Sequence, residues 1–295
     1  MIKLAFWRTI ADAYAFIFRH PLRFLRLAWF WLALPWFWQA LLALFRMVLP
    51  PQPGPSLTAQ LVWATIGLGF GGLIVIGLGL LSFSVALHRA VIFGEVRPWW
   101  AVLRLRRREW RFFGYGLVIA LLLGVPSLIF VKLSTQMFAI AVSGGANTLV
   151  AMRWWFAASL AYLPILWIAG ARLMLIFPAV AADDPDPANH ALERDRGNWL
   201  RLYVGSLACY LPYFVLEALV PVLLRPKMTA TTKFMMSSGA FVSFTQGGGL
   251  LEAISSVLDF LELAVMIAYY SLAHRQLAGA AAMPGDTAPQ PLPAG

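Results

Sequence analysis

Charged residues are scarce in this chain, and the scarcity excludes an ordinary soluble fold. Of its 295 residues, 12% are charged and 61% are hydrophobic, whereas a typical soluble domain has about 25% charged residues. A soluble domain of this length has no interior large enough to hide that much apolar surface. We therefore expect an all-α membrane protein, a polytopic bundle of transmembrane helices.

Cysteine and the common catalytic motifs are also lacking. Cys209 is the only cysteine, so we expect neither a disulfide framework nor a cysteine metal site. The chain has no phosphate-binding loop, nucleophile elbow or zinc-binding histidine pair. We interpret the glycine-rich stretch around Gly67 and Gly71 as a close-packing helix face. We predict no catalytic residue, no metal, no cofactor and no enzymatic activity.

Long hydrophobic runs are what the chain has instead. Before the first run, Ile2, Phe6, Ile10, Ala13 and Ile17 recur at helical spacing and predict an amphipathic helix at the membrane surface. Residues 281–295 are small and proline-rich and predict a flexible cytoplasmic tail. Six runs are long enough to cross about 30 Å of hydrocarbon as helices, and they cover 27–49, 60–87, 112–133, 154–180, 202–224 and 251–272.

The basic residues predict the orientation of these spans. The formal net charge is +10. Most lysines and arginines lie in 1–26, 88–111, 181–201 and 272–295, which fall on one side of the predicted membrane. Because basic residues resist translocation in short loops, this distribution predicts that both termini are cytoplasmic.

Three segments enter a span in a similar way and predict an internal repeat. Their anchoring arginines, Arg23, Arg111 and Arg201, recur at nearly constant intervals, and a proline follows each within the span. The pattern predicts three units, at 1–95, 96–182 and 183–280, within one membrane domain of residues 1–280. Each unit is an amphipathic cytoplasmic helix followed by a transmembrane helical hairpin. The alternative is that arginine and tryptophan collect at any membrane interface by solvation alone.

A family resemblance lies in two stretches of the chain. One begins Arg172-Leu173-Met174-Leu175-Ile176-Phe177-Pro178 and continues at Ala191-Leu192-Glu193-Arg194-Asp195-Arg196-Gly197-Asn198-Trp199; the other runs from His88-Arg89 to Phe113. They resemble uncharacterised bacterial six-span membrane proteins, which are similar to the membrane domain attached to some glycerophosphodiester phosphodiesterases. The resemblance implies a multi-pass protein of the bacterial inner membrane. It implies no activity, because the phosphodiesterase chemistry belongs to a separate soluble domain.

Arginines concentrate on one face before the third span. Arg104, Arg107, Arg108 and Arg111 are helical neighbours at three and four residues, and tryptophans lie among them. Stacking on nucleic-acid bases is one interpretation of this pattern. Its position between two spans favours anionic lipid headgroups instead, so we predict membrane lipids as partners and no nucleic acid. We interpret the acidic segment that follows the fourth span, Asp183 to Asp186, as a helix-start loop that offsets the basic charge.

Ionisable residues inside the predicted spans are the strongest functional signal. Arg172, Glu217, Asp259 and Glu262 lie at membrane depth, where a charge costs about 3 kcal/mol and needs a partner or water. One interpretation pairs Arg172 with Asp259 or Glu262 as a structural link. The other makes these groups line a polar cavity.

The sequence therefore favours a non-enzymatic membrane protein that handles a lipid or another amphiphile, or assists envelope assembly with an envelope protein partner. The alternative is a proton-coupled secondary transporter that uses the intramembrane acids.

Overall fold

The computed structural model describes residues 3–19, 21–48, 55–95, 105–142, 148–224 and 249–279. Within these ranges the chain is helical and contains no strand, which confirms the all-α prediction. The helices are α1 (Phe6–Arg19), α2 (Pro21–Val48), α3 (Pro55–Phe93), α4 (Arg107–Val142), α5 (Thr148–Leu173), α6 (Ile176–Ala181), α7 (Pro187–Asp195), α8 (Trp199–Leu224) and α9 (Gly249–Ala278). The predicted tail at 281–295 lies outside the described residues.

Four helical stretches in the described part of the chain are long and apolar enough to cross a membrane. They are Arg107–Ala139, Met152–Ala181, Trp199–Val220 and Ile254–Ala278, and they coincide with the last four predicted spans. α2 and α3 occupy the positions of the first two predicted spans, and a shorter apolar helix covers Gly77–Phe93. A membrane-spanning helical protein fits these helices. The count of six spans and the three hairpins stay predictions.

α9 is the central helix of the bundle. It packs against α1, α2, α3, α6, α7 and α8, and 56% of its most apolar window is buried, against 6% for that of α4. Small side chains such as Ala264 and Ala268 are fully buried on α9 and let neighbouring helices approach closely. The helix that carries two of the predicted intramembrane acids is therefore shielded by protein over much of its surface.

Tight packing at a glycine occurs at Gly205 within the described residues. A Cβ atom built on Gly71 meets no described atom within 4 Å, so close packing at the predicted Gly67 and Gly71 face stays a prediction. A Cβ atom on Gly205 of α8 would overlap the phenol ring of Tyr269 on α9 and would lie 2.8 Å from its Cε2. α8 and α9 approach closely here because the Tyr269 ring packs directly on Gly205. The spacing of glycines along the sequence does not predict such a contact between distant segments.

The break between α5 and α6 follows from Pro178. A proline has no amide hydrogen to donate, and its ring clashes with the carbonyl four residues earlier. That carbonyl belongs to Met174, where the regular helix is interrupted by a turn. The chain therefore bends within the stretch predicted as the fourth span and presents α6 to α3 and α4.

α1 is amphipathic, as its spacing predicts, but it packs against protein. Thr9, Ala13 and Ile17 are its buried residues, and it contacts α8 and α9. The Tyr14 hydroxyl donates to the carbonyl of Cys209 on α8 at 2.9 Å. Burial, followed by the proximity of Cys209, raises the pKa of Tyr14 above its ordinary range. α1 is therefore a component of the bundle rather than only a surface anchor.

The segment before α1 is fastened to the start of α8. The side-chain oxygen of Asn198 accepts a hydrogen bond from the Leu4 amide at 2.9 Å, and Arg201 Nη1 donates to the Leu4 carbonyl at 2.7 Å. Gly197 adopts a φ of 81° in the preceding turn, a conformation that glycine adopts without strain. The predicted entry motif of the third unit thus holds the N-terminal segment in place.

Candidate functional site

Ion pairs of Asp183 and Asp184 connect several helices at one end of the bundle. We call this end, defined by the two aspartates and their cationic partners, the charged end. Asp183 Oδ2 lies 3.1 Å from Arg89 Nη1 and 2.8 Å from Arg108 Nη2. Arg89 also pairs with Glu95. Asp183 has a φ of 62°, which aspartate tolerates better than most residues. One turn residue thereby links α3 to α4.

Asp184 extends this network to α7. Its carboxylate lies 2.7 Å from His190 Nδ1 and 3.4 Å from Arg194 Nη1, and its carbonyl accepts from Arg111 Nη2 at 3.0 Å. Asp186 caps α7 with its side chain. The interpretation of this acidic segment as a helix-start loop that offsets basic charge is confirmed by these contacts.

The predicted lipid-contact arginines differ in their surroundings. Arg104 lies outside the described residues, and Arg107 is exposed. Arg108 and Arg111 bond to Asp183 and to the Asp184 carbonyl, so both have partners within the protein. Contact with anionic lipid stays a prediction for these arginines, and Arg107 is the one whose described surroundings leave it most accessible.

Arg172 pairs with Asp195, not with the acids of α9. Arg172 Nε and Asp195 Oδ2 form the ion pair, in which the Asp195 side chain is fully buried and the Arg172 side chain is 44% exposed. The predicted pairing with Asp259 or Glu262 is therefore wrong. Arg172 lies in the last turn of α5, near the charged end, whereas both acids lie several turns before the end of α9. Burial raises the pKa of Asp195, and the Arg172 guanidinium opposes that rise.

The acids predicted in the fifth and sixth spans, Glu217, Asp259 and Glu262, do lie close together. Glu217 on α8 and Asp259 on α9 form a hydrogen bond between their carboxyl groups, and Glu262 lies within electrostatic range of both. The structure thus separates Arg172 from this group of acids.

A cavity of about 460 Å³ lies between α3, α4, α5, α6 and α9, and Glu262 is its only carboxylate among the described residues. Pockets of this size accommodate small organic ligands. Most of its wall is apolar or aromatic. The lining residues are Ser84, His88, Phe112, Trp167, Gly170, Ala171, Met174, Phe177, Glu262, Leu263, Met266, Ile267 and Tyr270.

Hydrogen bonds fix the polar side chains in the cavity wall. His88 Nδ1 lies 2.7 Å from Ser271 Oγ, and the Ser271 hydroxyl donates to the Ile267 carbonyl at 2.7 Å. Because a hydroxyl has one hydrogen, Nδ1 is the donor in the first contact, and Nε2 is the acceptor nitrogen of the neutral ring. The indole of Trp167 donates to Ser206 Oγ at 3.0 Å. The wall is therefore largely preformed.

The cavity wall combines few polar groups with many apolar ones. Among the residues that the structure describes, no cluster of three or more histidine, cysteine or acidic side chains forms a metal site. Glu262 and His88 line the same cavity and offer one carboxylate and one imidazole among apolar groups. Sequence reasoning found Glu262 but missed His88 and Trp167, because they come from helices far apart in sequence. The similar exits Leu87-His88-Arg89 and Ala273-His274-Arg275 were the available signal.

Comparison with known proteins adds nothing to this picture: no family model, no curated protein and no solved structure matches the chain. The resemblance to bacterial six-span membrane proteins stays a prediction. The cavity and the acids beside it are therefore the features that bear on function.

Proposed function

We propose that the chain is a non-enzymatic membrane protein that binds a lipid or another amphiphile in the cavity around Glu262. The observation that carries this proposal is a preformed cavity of about 460 Å³ with apolar walls and a single carboxylate among its described lining residues. An amphiphile matches such a site because its tail contacts the apolar wall and its polar group meets the few polar side chains.

Filling the cavity tests this proposal. Leu263 lines the cavity, whereas Val257 on the same helix is 41% exposed. We expect Leu263→Trp to remove most of the amphiphile that co-purifies with the wild-type protein, as measured by mass spectrometry of extracted lipids. Val257→Trp adds the same bulk outside the cavity and is the matched control. Wild-type amounts of the same amphiphile on Leu263→Trp would contradict the proposal.

A proton-coupled transporter is the second candidate, and the Glu217 and Asp259 contact favours it. Under this second proposal the two neighbouring carboxyl groups carry the coupled proton through the membrane bundle. In everted vesicles with an imposed pH gradient, coupling predicts that adding the co-purified amphiphile dissipates the gradient. Asp259→Asn should abolish this dissipation with no loss of protein abundance. Equal dissipation by both proteins would exclude Asp259 as a proton carrier.

We further propose six spans arranged as three repeated hairpins, with both termini in the cytoplasm of a bacterial cell and the protein in the inner membrane. The four candidate spans and the basic charge at one end support this topology. Cys209 is buried, so a Cys209→Ala background allows labelling of introduced cysteines. A membrane-impermeant maleimide applied to intact cells should label Thr148→Cys but not Glu193→Cys, and the reverse pattern would invert the topology.

Membrane lipids are the proposed partners, with anionic headgroups beside Arg107, and an envelope protein is a further partner under the envelope-assembly alternative. The position of Arg107 supports the contact with anionic headgroups. Arg107 is exposed at the first residue of α4, at the charged end, where an anionic lipid could neutralise its charge.

A further inference from the structure

Glu262 lies in the cavity without a counter-charge from the described part of the chain. The carboxyl groups that act on it electrostatically are Glu217 and Asp259, and the phenols of Tyr210 and Tyr213 also lie within electrostatic range. Arg172, which the sequence predicted as its partner, bonds to Asp195 near the charged end instead. A carboxylate that is partly removed from water and has acidic neighbours but no ion pair within the described residues attracts a positive charge from outside the protein.

Glu262 lies at the end of the cavity farther from the charged end. Along α9 the lining runs from Glu262 to Tyr270, a separation of eight residues, which is about 12 Å of helix. His88 and Phe112 come from the parts of α3 and α4 nearest the charged end, so the opposite end of the cavity belongs to Glu262. A phospholipid headgroup prefers the membrane surface, and its phosphate would meet no lysine or arginine among the described lining residues.

The remaining wall suits a delocalised or alkylated cation. Trp167 and Tyr270 line the same cavity as Glu262, and aromatic faces attract organic cations by about 0.5–2 kcal/mol per contact, with tryptophan the strongest. Trp167 is held by its hydrogen bond to Ser206 and by an edge contact with Tyr210 at 5.4 Å between ring centroids. The position of the Trp167 side chain in the wall is therefore fixed before a ligand binds.

We infer that the cavity binds a lipophilic organic cation, an ammonium or phosphonium centre with apolar substituents, whose charge lies against Glu262 and whose substituents lie against the aromatic wall. This inference rests on the proposed function and specifies its ligand class. It commits to a net-cationic amphiphile and excludes anionic and zwitterionic phospholipids as occupants of the cavity.

The test uses two probes of nearly the same size and shape but opposite charge, tetraphenylphosphonium and tetraphenylborate. The full-length protein is placed in phosphatidylcholine nanodiscs, and saturable binding is measured by equilibrium dialysis against empty nanodiscs. We expect tetraphenylphosphonium to bind once per chain, with at least about a tenfold loss of affinity in Glu262→Gln, since a buried charge pair is removed. Glu193→Gln removes an exposed charge on α7 and should leave affinity within about twofold.

Each other outcome counts against the inference. Equal affinity of tetraphenylphosphonium for wild type and Glu262→Gln, or saturable binding of tetraphenylborate at the same site, overturns it. Glu262→Gln is compared with wild type only where both proteins are monodisperse. Leu263→Trp is a second, independent variant, and it should abolish cation binding because it fills the cavity. If Leu263→Trp loses a co-purified amphiphile while wild type binds no cation, the inference fails and the proposed function survives. If neither ligand is found on wild type, both fail.

Discussion

Removing Arg172 should destabilise the protein more than neutralising Asp195, although the two side chains form one ion pair. The reason is their unequal exposure: Asp195 is fully buried and Arg172 is 44% exposed. Arg172→Gln leaves a buried carboxylate without its cation, and Asp195 Oδ1 already has no hydrogen-bond partner within the described residues. Asp195→Asn keeps an acceptor for Arg172 and leaves a guanidinium that reaches toward the surface on its flexible stem.

The size of the difference follows from these two situations. Leaving one member of a buried pair uncompensated costs about 3 kcal/mol, which for a chain of this size lowers the melting temperature by about 6 °C. Asp195→Asn removes the buried charge of a half-exposed pair, which costs about 1 kcal/mol or less. This lowers the melting temperature by at most about 2 °C. Thermal unfolding in detergent, followed by size-exclusion chromatography of the heated protein, resolves such a difference.

The pH dependence gives an independent reading of the same contact. Burial raises the pKa of Asp195, so the folded protein favours the neutral acid. The stability that this preference contributes is fully present below the ordinary pKa of aspartate and is lost as the pH rises through the raised value. Arg172 opposes the rise, so without it the loss deepens and extends to higher pH. The deficit of Arg172→Gln should therefore be larger at about pH 8 than at about pH 5.

Equal melting shifts for Arg172→Gln and Asp195→Asn would refute this reasoning, as would a deficit of Arg172→Gln that grows toward acid. The double variant supplies the closing measurement. Because each substitution removes the same ion pair, and Asp195→Asn also removes the buried charge that Arg172→Gln would expose, the double variant should melt close to Asp195→Asn rather than at the sum of the two shifts.

Two further predictions concern packing. Gly205→Ala should destabilise the protein by about 1–3 kcal/mol because its Cβ overlaps the ring of Tyr269. Gly124 has open space around it, so the control Gly124→Ala should be neutral or stabilising by up to about 1 kcal/mol. Melting temperatures in the opposite order would contradict the assignment of Gly205 as the close-packed glycine. Asn198→Ala should release Leu4 by removing the acceptor of its amide, at a cost of about 1 kcal/mol, and hydrogen exchange at the Leu4 amide should accelerate while the global melting temperature falls little.

The positions of the long helices were predictable because an apolar run of sufficient length has few alternatives to a helix in a membrane. Pro178 illustrates where that reasoning lost detail. The apolar run from 154 to 180 predicted one span without specifying where its helix is interrupted, and the structure divides that span into α5 and α6. Similarly, spacing predicted the amphipathic character of α1, but its partner surface on α8 and α9 depends on contacts between the two ends of the chain.

The candidate site was predictable only in part, for a related reason. Helical spacing places Asp259 and Glu262 on one face of α9, and the structure does bring both near Glu217. The partner of Arg172 was not predictable by the same rule, because position in the membrane indicated only the acids within the spans, whereas Asp195 lies in the segment predicted as the cytoplasmic helix before the third hairpin. The bend at Pro178 and the turn at Gly197 determine where α7 lies, and the sequence does not specify the resulting contact.

The pairing of Arg172 bears directly on what Glu262 does. Had Arg172 bonded to Glu262, the cavity would contain a neutralised structural link, and replacing either residue would weaken the fold. Because Arg172 bonds to Asp195, Glu262 is left with acidic neighbours, so its carboxylate opposes folding rather than supporting it. Glu262→Gln should therefore melt at the wild-type temperature or slightly above it, while Arg172→Gln melts lower. Retaining a group that lowers stability is typical of residues kept for binding or catalysis, and a Glu262→Gln variant that unfolds at lower temperature would instead mark Glu262 as structural.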